Sequence, residues 1–332
     1  EDPAVAHAAD VFRTTGQITS TGFSTSASVL AVDASQIADV AWFRDDFAGG
    51  KSIDEVAQLL LDGPESPVGL PLPRDIVGLS VWLQSARVDT GADLWARLRD
   101  ADGQYFDTWV GGLNVRGWTK ISSNLSPVVA VGRRFTTETR QISLRPPYSL
   151  QSFQITMLGG NLGADELGAL FIGPLDALTP GGPVNLADFR TPDGWSVIED
   201  FSRPGLYAIE SSESAGGSQF PSSSRFSWAT GGVGMRGIKP GPTERSIPAV
   251  VNEEFLKVAG ASVGDDVILG LSSYSVMVNI AGVASYFPTL DPGDKPFIVM
   301  DLDSFEAVSN QHSTVSVSGG NEIWVDLASG AG

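Results

Sequence analysis

Between Ile247 and Asp303 the signals for one kind of element give way to those for another every few residues, and each change carries its own punctuation. Asn252 suits a helix N-cap, and Glu253 and Glu254 follow where acidic side chains face the positive end of a helix dipole. That helix must stop at Gly260. After the turn Val263-Gly264-Asp265, apolar residues alternate as Val267, Leu269, Leu271 and then Val276, Val278, Ile280, the period of a strand with one buried face. Ser272-Ser273 between the two runs predicts a hairpin. Pro288 and Pro292 hold an extended loop, Phe297 to Met300 is an apolar run short enough for a strand buried on both faces, and Asp303 or Ser304 opens another helix. Long helices are excluded here, and short mixed elements packed on one sheet are what remains.

The N-terminal stretch has the same texture. Ser28 to Val32 reads as a strand, and Asp33 caps a helix through Ala34, Ile37, Ala38 and Ala41. Ser52 caps a second helix with Asp54 and Glu55 in its first turn and Ile53, Val56, Leu59 and Leu60 on one face. Between these two end regions the pattern changes. Proline-rich sequence, Asp62-Gly-Pro-Glu-Ser-Pro and Leu70-Pro-Leu-Pro, opens a series of short alternating runs: LSVWLQS, DLWARLRD, QYFDTWVGGL, GWTKISSNL, LQSFQITML and GALFIGPLDAL. Turn residues separate them and no helical period intervenes, which predicts a β-sandwich with a jelly roll as its usual closed form. Residues 181–243 hold further strand-like fragments, DGWSVI, GLYAIESS and SRFSWAT, split by Ser- and Gly-rich sequence, and supply either a connecting segment or outer strands.

Several pieces together, IPAVVNEEFL, the Val263-Gly264-Asp265 turn, YFPTLDPG, FIVMDLDSF, the closing strand NEIWV and, near the other end, LAVDASQIADVAWFRDDF, resemble the extracytoplasmic core domain of FtsX-like and MacB-like ABC transporter permeases. The GW strand, LQSFQIT and GALFIGPLDAL resemble carbohydrate-binding-module-like jelly rolls. Such modules often end with an acidic pair, and Gly173-Pro174 standing there argues against a structural calcium. The resemblance implies a mostly β chain with an α+β part: a discontinuous mixed α/β permease core from residues 1–62 and 244–332, an inserted jelly-roll β-sandwich at 63–180, and a β-rich segment at 181–243. It further implies a non-catalytic extracytoplasmic domain of a bacterial membrane protein. Its partners would be its own transmembrane helices, a separate cytoplasmic ATPase that drives them, and an extracytoplasmic protein or glycan ligand.

Composition bears on the alternatives. The formal charge is −18 with acidic residues scattered along the chain, a surface that repels the phosphates a nucleic-acid-binding protein must attract. With no cysteine, disulfides, thiolate metal sites and cysteine nucleophiles are excluded. No apolar run approaches the roughly 18 residues of a membrane span, and the sequence from Glu1 to Gly332 reads as a segment cut from a membrane protein.

The motifs that could carry chemistry mostly reduce to structure. Gly232-Val-Gly234-Met-Arg-Gly237 fits G-x-G-x-x-G by letter, but Ile-Lys-Pro-Gly-Pro follows it and cannot open the helix a pyrophosphate needs. His7 and His312, the only histidines, read as surface residues with no buried acid to orient them. The adjacent acids Asp45/Asp46, Glu199/Asp200, Glu253/Glu254 and Asp265/Asp266 are placed for turns and caps, not across a cleft. Asp100-Ala-Asp102-Gly103 starts like a calcium loop yet lacks the later ligands, and reads as a hairpin turn. No enzyme chemistry, metal or cofactor is expected.

One pattern remains. Alternation sets Trp82 apart from Leu79, Val81 and Leu83; it sets Trp95, Arg97 and Arg99 apart from Leu94, Ala96 and Leu98; and it sets Tyr105, Asp107 and Trp109 apart from Phe106, Thr108 and Val110. Trp82, Trp95, Arg97, Arg99, Tyr105 and Trp109 are therefore the candidate binding residues of a polar-aromatic sheet face for a partner or a sugar ring. The other reading of this face is that residues 181–243 or the flanking domain cover it. A secreted or surface carbohydrate-binding protein acting through the jelly-roll face is the alternative function.

Overall fold

The computed structural model describes residues 4–20, 23–63, 69–86, 92–133, 136–140, 144–157, 168–213, 219–229, 235–243, 245–290, 295–313, 317 and 319–328. Residues 64–68 of the proline-rich boundary, Gly232 to Gly234 and Pro292 lie outside them. The fold is mostly β. The chain forms two compact units, one of residues 1–66, 244–309 and 318–332, the other of residues 67–243 and 310–317.

In chain order the elements begin with β1 (Val5–Ser20), β2 (Phe23–Val32), α1 (Ile37–Val40) and α2 (Ile53–Leu61). The second unit then contributes β3 (Leu70–Pro71), β4 (Gly78–Ser85), β5 (Ala92–Arg99), β6 (Tyr105–Gly112), β7 (Thr119–Asn124), β8 (Val129–Arg133), β9 (Thr136–Arg140), β10 (Ser149–Met157), β11 (Gly168–Thr179), β12 (Gly182–Ala187), β13 (Trp195–Val197), β14 (Tyr207–Ser212), β15 (Ser223–Trp228) and β16 (Arg236–Pro240). The chain closes with β17 (Ile247–Val251), α3 (Glu253–Ala259), β18 (Asp266–Leu271), β19 (Tyr274–Val283), β20 (Phe297–Asp301), α4 (Leu302–His312) and β21 (Glu322–Leu327).

The first unit is a six-stranded barrel with one appended strand. Its order is β18-β19-β17-β20-β2-β1, closed by antiparallel pairing of β1 with β18 at Gln17–Gly270 and Ile18–Leu269, and β21 adds to β1. Two pairings are parallel, β2 with β20 and β17 with β19. Along β2 the alternation divides the strand. Leu30 and Val32 pack with Ile37, Val56 and Leu60 beneath the short helices, while Val29 shares the opposite face with Ile298 of β20. That second face is crowded: a Cβ on Gly16 would sit 2.7 Å from Leu269 Cδ1 and 3.0 Å from Val29 Cγ2. As the run Phe297 to Met300 suggests, β20 lies between two strands and is buried throughout.

The local punctuation explains where these elements stop. Ser52 Oγ accepts from Glu55 N while Glu55 Oε2 accepts from Ser52 N at 2.8 Å, a complete capping box for α2. Asn252 Oδ1 accepts from Phe255 N at 2.9 Å, and α3 ends on Gly260 with φ 66°. Two helix starts differ from the sequence reading. Asp33 turns its carboxylate back onto Ser35 and Gln36, leaving α1 a single turn, and α4 is capped one step earlier than expected, by Asp301, whose Oδ2 accepts from Ser304 N at 2.9 Å. Burial, partly offset by that bond, raises the Asp301 pKa.

The second unit holds two sheets that share one core. One runs β13-β16-β10-β5-β6 with β3 beside β10, the other β14-β15-β11-β4-β7 with β12 beside β11. Leu79, Val81 and Leu83 from β4 meet Leu94, Ala96 and Leu98 from β5 in that core, with Phe106, Phe153 and Phe226 filling it. Residues 181–243 supply strands to both sheets, and β13 and β14 are the outermost on their sides. The 100–104 sequence is the turn of the β5–β6 hairpin: Asp100 Oδ1 accepts from Asp102 N and Gln104 N at 2.9 and 2.8 Å, and Gly103 has φ 85°. The last two residues of the glycine motif, Arg236 and Gly237, already open strand β16, where a nucleotide site needs a helix.

Candidate functional site

The hairpin places five of the six candidate residues on one sheet face. Its register pairs Trp95 with Trp109, Arg97 with Asp107 and Arg99 with Tyr105, so these residues stand in three cross-strand rows away from the core. On the other side of β5, Gln154 faces Trp95 and Ser152 faces Arg97. Trp82 is not among them. It lies on β4, in the other sheet, where Lys120 is its register partner.

Within the five, roles separate sharply. Arg97 is fully buried, with an ion pair to Asp107 through Nε–Oδ1 and Nη2–Oδ2, each 2.8 Å. Its Nη1 donates to the backbone carbonyls of Asn310 at 2.5 Å and Ser313 at 2.7 Å. The guanidinium therefore holds Asn310 and Ser313 to the sheet through their carbonyls, at a helix C-terminal end where a cation is favoured. Asn310 continues the attachment through its side chain, donating to Val317 O at 2.6 Å and accepting from Val317 N at 2.9 Å. A side chain so enclosed acts as a fastening.

Arg99 is partly exposed. Its Nε donates to Gly103 O at 3.3 Å and its guanidinium carbon lies 5.6 Å from the Tyr105 ring centre, a cation–π contact on a buried ring. Trp109 is 45% exposed, and its Nε1 donates to Asp93 Oδ1 at 3.0 Å. Trp95 is half-buried. Trp109, Trp95 and Arg99 are thus the members of the face that keep accessible surface.

Trp82 belongs to a separate aromatic group that sequence reasoning missed. Its ring centre is 5.4 Å from Phe220, and Phe220 is 4.7 Å from Trp118 in an edge-on arrangement. Gly173 makes room for it: a Cβ there would lie 3.2 Å from both Trp118 Cζ3 and Trp82 Cβ. Lys120 pairs with Asp176 at 3.1 Å beside this group, and Asn185 Nδ2 donates to the same carboxylate at 3.2 Å. Trp118 follows the turn glycine Gly117 and alternates with Lys120, a signal available from sequence; Phe220 sits in a Ser-rich loop with no periodicity to reveal it.

The remaining chemistry-bearing residues occupy structural posts. His7 is exposed, but His312 corrects the surface reading: it ends α4, is 5% exposed and lies 4.9 Å from the Phe201 ring. The adjacent acids serve turns and local pairs: Asp46 with Arg44, Glu199 with Gly205 N, Asp200 with Ser202, Asp265 with Ser262 N, and Asp266 with Asn279. Among the described residues no group of three or more His, Cys, Asp or Glu is placed to hold a metal ion. What the two sheet faces offer is partly exposed aromatic surface with flanking hydrogen-bonding groups. No helix among the described residues is long and apolar enough to cross a membrane. Compared with known proteins, the chain matches no family model, no curated protein and no solved structure.

Proposed function

We propose that this chain is a non-catalytic extracytoplasmic domain of an FtsX-like ABC transporter permease, with the barrel unit as its permease core and the sandwich unit as an inserted jelly roll. In this reading a separate cytoplasmic ATPase moves the membrane helices, and the domain couples that motion to a substrate or partner protein. The observation that carries it is the neighbourhood of the two chain ends. Val5 of β1 faces Leu327 of β21, and Ala328 N donates to Ala4 O at 2.9 Å. A domain held between membrane helices must return its ends to one surface, and these ends run side by side in a single ribbon.

Because these 332 residues hold no cysteine, topology is testable in the full-length reading frame once any cysteine outside them is replaced. Val263→Cys, at a position 57% exposed, should react with a membrane-impermeant maleimide in intact cells, and the protein should sediment with membranes and co-purify with an ATPase subunit. Labelling only after lysis, or recovery without membranes, overturns the reading.

The Trp82, Trp118 and Phe220 group supports a second reading, a carbohydrate-binding protein acting through the sandwich. Stacking of apolar sugar faces on aromatic rings, with Lys120 and Asp176 at the rim, is the chemistry involved. Glycan-array binding that disappears in Trp82→Ala would favour it over the permease reading; an array without signal removes it.

A further inference from the structure

β21 is the last strand of its sheet, bonded to β1 on one side and to no other strand among the described residues. Edge strands usually carry protection against pairing, such as charge, proline or a covering element. Here the alternate residues Ile323, Val325 and Leu327 are 68%, 46% and 58% exposed and share one face. The face across the strand is fixed by Trp324, which packs on the core beneath α1 and α2, so the aliphatic row cannot turn inward. Ala8 of β1 stands opposite Val325 and is itself exposed, so the apolar surface continues onto the neighbouring strand.

We infer that β21 is a self-pairing edge, and that its partner is β21 of a second copy of this chain, antiparallel about a two-fold axis at Val325. The register follows from the sequence of the strand. Directly opposed residues of antiparallel strands lie on the same face. With the axis at Val325, Ile323 meets Leu327 of the second copy, Val325 meets its own equivalent, and Leu327 meets Ile323, an unbroken aliphatic row of six side chains. The opposite face then sets Trp324 against Asp326, and no acid faces an acid. Moving the axis to Trp324 sets Glu322 against Asp326 on one face and Leu327 against Asn321 on the other. Moving it by half a step drops Ile323 onto the face of Asp326. Both alternatives oppose like charges or break the apolar row, which costs stability. A two-fold axis also closes this contact at a dimer, since each copy spends its β21 edge. The acidic surface of the chain argues against anionic lipid as the occupant.

Single cysteines in this cysteine-free chain read the register. With a short thiol-to-thiol crosslinker, Val325→Cys is expected to dimerise about tenfold faster than Val263→Cys, because pairing raises the local thiol concentration. Ile323→Cys and Leu327→Cys, whose equivalents lie about 14 Å apart in this register, should crosslink more slowly than Val325→Cys. Sedimentation equilibrium of the unaltered chain should show a monomer–dimer equilibrium that Val325→Lys abolishes, since two ammonium groups would then face each other. Circular dichroism confirms that the variant is folded. A chain that stays monomeric across the concentration series, an association that survives Val325→Lys, or equal crosslinking at 325 and 263 would each overturn the inference. None of these outcomes depends on membrane location, so the permease reading stands or falls separately.

Discussion

Arg97 and Asp107 face each other across β5 and β6, and the guanidinium grips the carboxylate through two parallel bonds of 2.8 Å. The pair is the centre of a small buried network, because the third nitrogen of Arg97 also satisfies the Asn310 and Ser313 carbonyls. Removing Arg97 takes both parallel bonds from the part-buried Asp107 carboxylate and one bond from each of the two carbonyls. Arg97→Met should therefore cost about 3–5 kcal/mol. Arg97→Lys should recover only part of this, since an ammonium cannot reproduce the planar fork. Six of the eight tryptophans lie in the sandwich unit, so a urea titration followed by tryptophan fluorescence reads the loss directly.

At Gly237 the test is steric. A Cβ there would lie 2.0 Å from the Phe153 carbonyl oxygen, a backbone atom of the neighbouring strand that cannot rotate away. Gly237→Ala should destabilise the sandwich by about 3 kcal/mol or more, the upper end of overpacking costs. Gly112→Ala, whose nearest contact is 3.5 Å, should cost far less. Thermal unfolding of the two variants separates them.

The capping box of α2 gives a smaller, local effect. Ser52→Ala removes the acceptor for Glu55 N and should lower stability by about 1 kcal/mol. Ser52→Asp should restore most of it, because the carboxylate can accept the same bond. Denaturant midpoints of the three proteins check the order.

The Arg13–Glu322 pair predicts a pH dependence. Arg13 Nε donates to Glu322 Oε1 at 2.6 Å and Nη2 to Oε2 at 3.1 Å, and these bonds hold the Glu322 carboxyl below its ordinary pKa. A lowered folded-state pKa adds stability above the unfolded value of 4.5, and that stability is lost as pH falls through the lowered one. Both side chains are about one-third exposed, so the gain is on the order of 0.5 kcal/mol. Glu322→Gln should unfold at slightly lower denaturant than the unaltered chain near pH 7, and the two curves should merge well below pH 4.5.

Local signals carried much of the secondary structure. The caps at Ser52 and Asn252, the stop at Gly260, the Asp100–Gly103 turn and the Leu271–Tyr274 hairpin depend on hydrogen bonds and backbone angles within a few residues, and so are written in the sequence itself. The same period of two separated core from outer residues in β4, β5 and β6. It could not say which outer faces adjoin, and Trp82 parts company with Trp95 because β4 and β5 enter different sheets.

Non-local pairing decided the rest. Arg97 alternates like any outward-facing residue, yet it is fully buried because a segment more than 200 positions away supplies Asn310 and Ser313. His312 is enclosed for the same reason: a polar run is buried when its groups find partners, and those partners are visible only once the chain has folded. Closure of the barrel rests on Gln17 meeting Gly270, a contact that strand period leaves open and that the packing of Gly16 against Leu269 selects. Sequence alone therefore determined the caps, the tight turns and the inward and outward faces of the strands whose alternation it displays; the partners of those strands, and hence which side chains remain free to meet another molecule, were decided by tertiary packing.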